Sequence, residues 1–169
     1  MEQKWKAAIV TLSDKGYAGE REDKSGPLIK EMLETEGYAV AEEVLLPDDP
    51  EKIQECLCWL SDERGVDLIL TTGGTGLSER DCTPEATMAV ADRNVPGIAE
   101  AMRCASLQIT PRAMLSRGVS VIRKKTLIVN LPGSPKAVKE NLEYILPALS
   151  HGLGILTGSE GECGNHVKG

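Results

Sequence analysis

Phenylalanine is absent from this 169-residue chain and aromatic residues make up only 3% of it, so the core must be aliphatic. The stacking platforms of single-strand nucleic-acid binders are missing with it. Only two histidines occur, His151 and His166, both late in the chain, which leaves a zinc site or a Ser-His-Asp nucleophile few candidate members. The five cysteines, Cys56, Cys58, Cys82, Cys104 and Cys163, are odd in number, form no CxxC pair and read as free thiols. No long basic run is present and the formal charge is −7, which argues against a nucleic-acid partner. Any phosphate binding must then be local. No apolar stretch approaches the roughly 20 residues that cross a bilayer, and no charged start precedes an apolar run, so no membrane partner and a cytoplasmic location are expected.

What remains is a chain with 41% hydrophobic residues, enough for one continuous core, and a length that suits a single domain over 1–169 with a loose Gly-rich tail from about 157. Trp5 to Leu12 is an apolar, β-branched run ending in the turn-prone Ser13-Asp14-Lys15-Gly16, the pattern of a buried parallel strand. Ser25 to Glu36 carries Leu28, Ile29, Met32 and Leu33 at helical spacing, with Pro27 near its start and Gly37 beyond its end. Tyr38 to Leu46 reads as a second strand, and a helix then runs from Asp49-Pro50 to about Arg64, Asp49 being its N-cap. Val66 to Thr72 is a third strand entering Gly73-Gly74-Thr75-Gly76, after which Thr83-Pro84-Glu85 supplies an N-cap, a proline and an acid for another helix. A helix from about Ile98 to Ile109, a hairpin of Val119 to Ile122 with Thr126 to Leu131 around a solvated Arg123-Lys124-Lys125 turn, and a helix from about Lys136 to Leu149 complete the pattern. Alternating strands and helices predict an α/β fold, a mostly parallel sheet covered on both faces and holding one antiparallel strand, with ligands at the strand carboxyl ends.

The glycine loop lets a backbone approach a ligand without Cβ atoms in the way, and its N–H groups and the Thr72 and Thr75 hydroxyls suit phosphate oxygens. Read alone it also fits a tight turn between strand and helix. It is neither a Walker A motif nor a GxGxxG, which excludes two common nucleotide folds. Arg80 and Asp81 lie just before a helix N-terminus. A carboxylate beside phosphates repels them unless it holds Mg²⁺, although Asp81 also fits as a cap on backbone N–H groups. Asp48, ending the second strand, comes to the same sheet edge, so Asp48 and Asp81 are the candidate metal pair. Ser13-Asp14, Ser25-Gly26 and Pro132-Gly133-Ser134-Pro135-Lys136 project to that edge as well. They suit a second, anionic substrate with Lys136 as counter-charge, and each taken singly also fits a turn or a cap.

The segment Thr71 to Thr87, TTGGTGLSERDCTPEAT, together with LPGSPK at Leu131 to Lys136 and the Ser13-Asp14 loop, resembles the molybdopterin adenylyltransferases of molybdenum-cofactor biosynthesis, relatives of the gephyrin G domain. The resemblance runs from about Lys4 to Leu156. It implies a three-layer α/β/α fold, a homotrimer, ATP and molybdopterin as substrates with Mg²⁺, and work alongside the molybdenum-insertion protein of the same pathway. It implies catalytic and metal-holding roles for Asp48 and Asp81. Ligand contacts are implied for Ser13, Asp14, Ser25, Gly26, Thr72, Gly73, Gly74, Thr75, Gly76, Arg80, Thr83, Glu85, Pro132, Gly133, Ser134 and Lys136. Non-enzymatic molybdopterin-binding and scaffold domains share the fold, and a nucleotide enzyme acting on another phosphorylated substrate is the third expectation.

Overall fold

A computed structural model describes residues 5–160; Cys163, His166 and the remainder of the tail lie outside the described residues. The element order is β1 (Trp5–Leu12), a one-turn α1 (Asp14–Tyr17), α2 (Ser25–Thr35), β2 (Tyr38–Leu46), α3 (Pro50–Cys58), β3 (Leu68–Thr72), α4 (Thr83–Ala89), β4 (Arg93–Asn94), α5 (Pro96–Leu107), β5 (Ser120–Arg123), β6 (Thr126–Leu131) and α6 (Pro135–Thr157). A π-helical turn (Trp59–Glu63) continues α3, and a 3₁₀ turn (Pro111–Leu115) follows α5.

The six strands line up as β2-β1-β3-β6-β5-β4, with parallel pairing from β2 through β6. β5 is antiparallel to both of its neighbours, so among the described residues it is the one strand running against the rest. Side chains alternate across the pleat, and the continuous apolar runs of the central strands therefore feed two cores. On one face Ile9, Leu70 and Val129 pack with Ile29 and Leu33 of α2, Met102 of α5, and Leu142 and Leu149 of α6. On the other, Val10, Ile69 and Ile128 meet Ile53 and Leu57 of α3 and Ala86 of α4. Removing any one of these fully buried leucines to alanine is expected to cost about 2–5 kcal/mol. The edge strand β2 instead alternates, turning Glu42 and Glu43 outward to Arg64 and Lys30.

Asp49 caps α3 as expected, accepting from the Glu51 and Lys52 N–H groups (3.0 and 3.2 Å). Four expectations need correction. Thr83 is the first residue of α4 and not its cap, because its hydroxyl donates to the Gly73 carbonyl (2.9 Å). α6 runs eight residues past Leu149 to Thr157 in spite of Pro147, since buried Leu149 and Leu153 keep its apolar stripe on the sheet and packing outweighs propensity. β4 was invisible in the sequence because two exposed residues, Arg93 and Asn94, carry no alternation. The Arg123-Lys124-Lys125 turn is exposed at Lys124 and Lys125 as expected but not at Arg123, which donates Nε and Nη2 to the two oxygens of Asp62 (3.0 and 2.6 Å) and Nη1 to the Val90 carbonyl (3.0 Å), pinning the hairpin to the π-helical turn.

Candidate functional site

Between β1 and β3 the chain changes direction across the sheet: β1 leads through α2 to β2 on one side, and β3 pairs with β6 on the other. Loops leaving the carboxyl ends of these two neighbours therefore diverge, which opens a crevice. The resulting cleft measures about 620 Å³, within the range of small-molecule sites. Of the residues singled out from the sequence, Ser13, Ser25, Asp48, Thr72, Gly73, Gly74, Asp81, Gly133 and Ser134 line it.

Its floor is the glycine loop. Gly73 has φ +96° and Gly74 φ +69°, where side chains are strained; a Cβ on Gly73 would strike the Leu12 carbonyl, and one on Gly74 the Thr83 hydroxyl. The Leu131–Pro135 loop is tied to this floor by Thr72 Oγ1 donating to the Pro132 carbonyl (2.6 Å) and Ser25 Oγ donating to the Gly133 carbonyl (2.8 Å). Ser13 and Ser134 also act as helix caps, accepting from Gly16 N–H (3.0 Å) and Ala137 N–H (3.3 Å).

The acids occupy unequal environments. Asp48 N–H donates to Asp14 Oδ1 (3.0 Å) while Asp48 Oδ2 accepts Asp14 N–H (3.1 Å), a reciprocal pair that joins the ends of β1 and β2. Arg80 reaches back from the glycine loop to grip Asp14 with Nε and Nη2, each at 2.9 Å. That guanidinium holds the Asp14 carboxyl below its ordinary range, and the Asp48 N–H adds to the effect. Asp48 moves the other way: burial raises it, the charges of Asp14 and Asp81 raise it further, and the Asp14 N–H and Arg80 offset part of this. Its second oxygen, Oδ1, is buried and has no hydrogen-bond partner. Leaving such an acceptor empty costs about 1–3 kcal/mol, which fits a site shaped for a hard cation with oxygen ligands. Among the described residues no three His, Cys, Asp or Glu side chains converge into a protein cage. Mg²⁺ held by one or two carboxylates, with phosphates and water completing its shell, matches that donor set.

The other expected residues stand behind the cleft. Gly26 N–H donates to Asp23 Oδ1 (3.0 Å), and Thr75 is buried with its carbonyl accepting Arg117 N–H (2.9 Å). Gly76 offers its carbonyl to Arg117 Nε (2.8 Å), and Glu85 pairs with the Arg117 guanidinium. Pro132 faces a second cavity of about 260 Å³ between α5, the 3₁₀ turn and α6, which shares Ser134 with the main cleft. Lys136 is 82% exposed and pairs loosely with Glu140 (3.8 Å), so it does not line the cleft. Sequence reasoning missed Arg21, Asp23 and Lys24, which do line it. Asp23 accepts from Ser25 N–H (3.1 Å) and from Thr11 Oγ1 (2.9 Å). An acid two residues before Ser25-Gly26 is an Asx-turn signal that could have found it.

Known proteins resemble this chain over most of its length. The chain is 48% identical over 143 residues to the molybdopterin adenylyltransferase of Escherichia coli K12, covering 83% of this chain and 73% of that one. It is 41% identical to gephyrin from Dictyostelium discoideum over 92% of this chain and 23% of that protein. The crystal structure of the molybdopterin biosynthesis enzyme MoaB from Thermus thermophilus superposes with a TM-score of 0.88 at 51% identity, covering 92% of this chain and 98% of that one. Residues 8–151, from the middle of β1 into the last turns of α6, match the family described as "Probable molybdopterin binding domain", and the chain belongs to that family.

Proposed function

We propose that this chain is a molybdopterin adenylyltransferase, joining the terminal phosphate of molybdopterin to the α-phosphorus of ATP with release of pyrophosphate. The observation that carries the reading is the cleft that Asp48 and Asp81 share with the glycine loop, in a chain 48% identical to a molybdopterin adenylyltransferase. In the reaction an oxygen of the molybdopterin phosphate forms a bond to the α-phosphorus. The bond from that phosphorus to the α–β bridging oxygen breaks, and pyrophosphate leaves with the electron pair. A phosphate monoester has a second pKa of about 6 and is largely a dianion at neutral pH, so no general base is required. His151 accordingly sits near the end of α6 with Glu160 beside it and not in the cleft.

Asp48 and Asp81 would hold Mg²⁺, which when bound neutralises phosphate charge and polarises the reacting phosphoryl group. Gly73 and Gly74 pack directly against the Leu12 carbonyl and the Thr83 hydroxyl at positive φ, which holds the loop in the shape whose backbone would lie against a nucleotide phosphate. Arg80 holds Asp14, and Asp14 holds Asp48, so the acid is set before substrate arrives. Arg21 and Lys24 at the rim, flanking Glu22 and Asp23 in a stretch of no net charge, offer individual cationic contacts for anionic ligands. The finer expectations belong to the same proposal: a cytoplasmic homotrimer working with the molybdenum-insertion protein of the pathway. Exposed Leu107 at the end of α5, Ile109 just beyond it, and Met114 and Leu115 of the 3₁₀ turn support self-association, and no helix among the described residues is long and apolar enough to cross a membrane.

The test is incubation of the purified chain with molybdopterin, ATP and Mg²⁺, followed by mass spectrometry for adenylylated molybdopterin and a coupled assay for pyrophosphate. Both products are expected. Tight molybdopterin binding with neither product would make the chain a binding or scaffold domain instead.

A further inference from the structure

The two acids of the cleft are fixed by different means. Asp48 lies two residues past the end of β2 and is braced by Asp14, whereas Asp81 belongs to a loop made permissive by three glycines, Gly73, Gly74 and Gly76. Within that loop Asp81 makes two local contacts, its N–H donating to the Ser78 carbonyl (3.0 Å) and its Oδ2 accepting Ser78 N–H (3.1 Å). These close a turn but do not place the turn relative to Asp48. Ordering each loop residue costs about 1–2 kcal/mol of backbone entropy, so something further along the chain must hold the loop.

We infer that Arg117, on the segment between the 3₁₀ turn and β5, is the positioning residue that sets Asp81 for cation-assisted adenylyl transfer; the inference rests on the reading proposed above. One residue ties down both ends of the Thr75–Asp81 stretch. Its backbone N–H donates to the Thr75 carbonyl (2.9 Å), its Nε to the Gly76 carbonyl (2.8 Å) and its Nη2 to the Asp81 carbonyl (2.9 Å). Nη1 is paired with Glu85 in the first turn of α4, which fixes the plane of the guanidinium against a rigid element. The donors of a guanidinium lie in one rigid fork, so the spacing between the Gly76 and Asp81 carbonyls is set by covalent geometry. A lysine ammonium keeps the charge and cannot reproduce the fork. Arg117 is not among the residues lining the cleft and its guanidinium is spent on the loop and Glu85, so its role is exerted through Asp81.

The comparison that tests this is Arg117→Lys against the wild-type chain, with Arg117→Ala and Glu85→Gln alongside. Mn²⁺ binding is titrated in the presence of a non-hydrolysable ATP analogue, molybdopterin binding is titrated separately without metal, and turnover is measured as a function of Mg²⁺. Loss of a residue that orients a ligand from behind typically costs 10–100-fold in metal affinity or activity. Arg117→Lys is therefore expected to weaken Mn²⁺ by about 10-fold or more and to lower kcat, with the molybdopterin Kd and the thermal midpoint nearly unchanged; Glu85→Gln is expected to do the same more mildly. Wild-type Mn²⁺ affinity and kcat in Arg117→Lys would overturn the inference. So would a parallel fall in Mn²⁺ affinity, molybdopterin affinity and thermal midpoint, which marks a residue needed only for folding. If the wild-type chain forms no adenylylated product yet its Mn²⁺–nucleotide affinity still depends on the Arg117 fork, the positioning inference stands and the transferase reading fails.

Discussion

Arginine–carboxylate forks sit at both ends of the same sheet, and they differ in what they leave over. At the amino ends of the strands, Asp62 is filled: Arg123 occupies both oxygens and Lys124 adds a contact to Oδ1 (3.3 Å). The Arg123 and Asp62 side chains are only 21% and 24% exposed. At the carboxyl ends, Arg80 grips Asp14 while being 64% exposed, and Asp48 beside them keeps a buried oxygen with no partner. The first arrangement closes a hairpin onto a helix. The second leaves negative charge uncompensated, with Asp48 raised by burial and by neighbouring acids. Asp14 and Asp62 are each gripped by an arginine at their own edge, whereas Asp48 keeps an oxygen without a protein partner beside the glycine loop and Asp81, where a cation would take it.

The sharpest way to break the comparison is to neutralise the unsatisfied side. Asp81→Asn and Asp48→Asn should lower turnover by orders of magnitude while the protein stays folded, as product formation and calorimetry together would record. Asp48→Asn should leave the thermal midpoint unchanged or raised, because an amide oxygen can still accept the Asp14 N–H and the buried charge is gone. Wild-type turnover in either variant would remove that acid from the metal role. A smaller effect is expected at Gly74→Ala, where φ +69° and the collision with Thr83 Oγ1 should cost roughly 1–3 kcal/mol in denaturant titration and depress activity.

The smallest effect is expected at the satisfied edge. Arg123 holds the Asp62 carboxyl below its ordinary range. A lowered carboxylate pKa stabilises the fold above the unfolded value of about 3.9 and loses that contribution as pH falls through the native value. Asp62→Asn should therefore cost about 1 kcal/mol or less at neutral pH. The difference from wild type should shrink as the solution is acidified below about pH 4. A gap that stays constant down to about pH 2 would assign the loss to packing.

Much of this was legible in the sequence wherever the signal was local. The apolar runs of β1 and β3, the Asp49-Pro50 helix start, and the strand–glycine–helix order that brings Asp48 and Asp81 to one edge all follow from short patterns. What escaped depends on closure of the chain in space. Arg117 carries no signature of its own, and its fork exists only because β5 brings it to a loop 36 residues earlier in sequence. Arg123 read as a solvated turn because Asp62 is 61 residues away. Thr83 resembled a cap because the Gly73 carbonyl that takes its hydroxyl instead is presented by a positive-φ glycine. α6 outran Leu149 because burial of Leu153 is a property of the sheet beneath it.

The most direct test of the division between the two edges sets Asp81→Asn beside Asp62→Asn, measuring adenylylated molybdopterin formed and the thermal midpoint for each. The predicted result is a crossed pattern: Asp81→Asn keeps its midpoint and makes almost no product, and Asp62→Asn loses some midpoint and makes product at the wild-type rate. Parallel losses in both variants, or full turnover in Asp81→Asn, would contradict it.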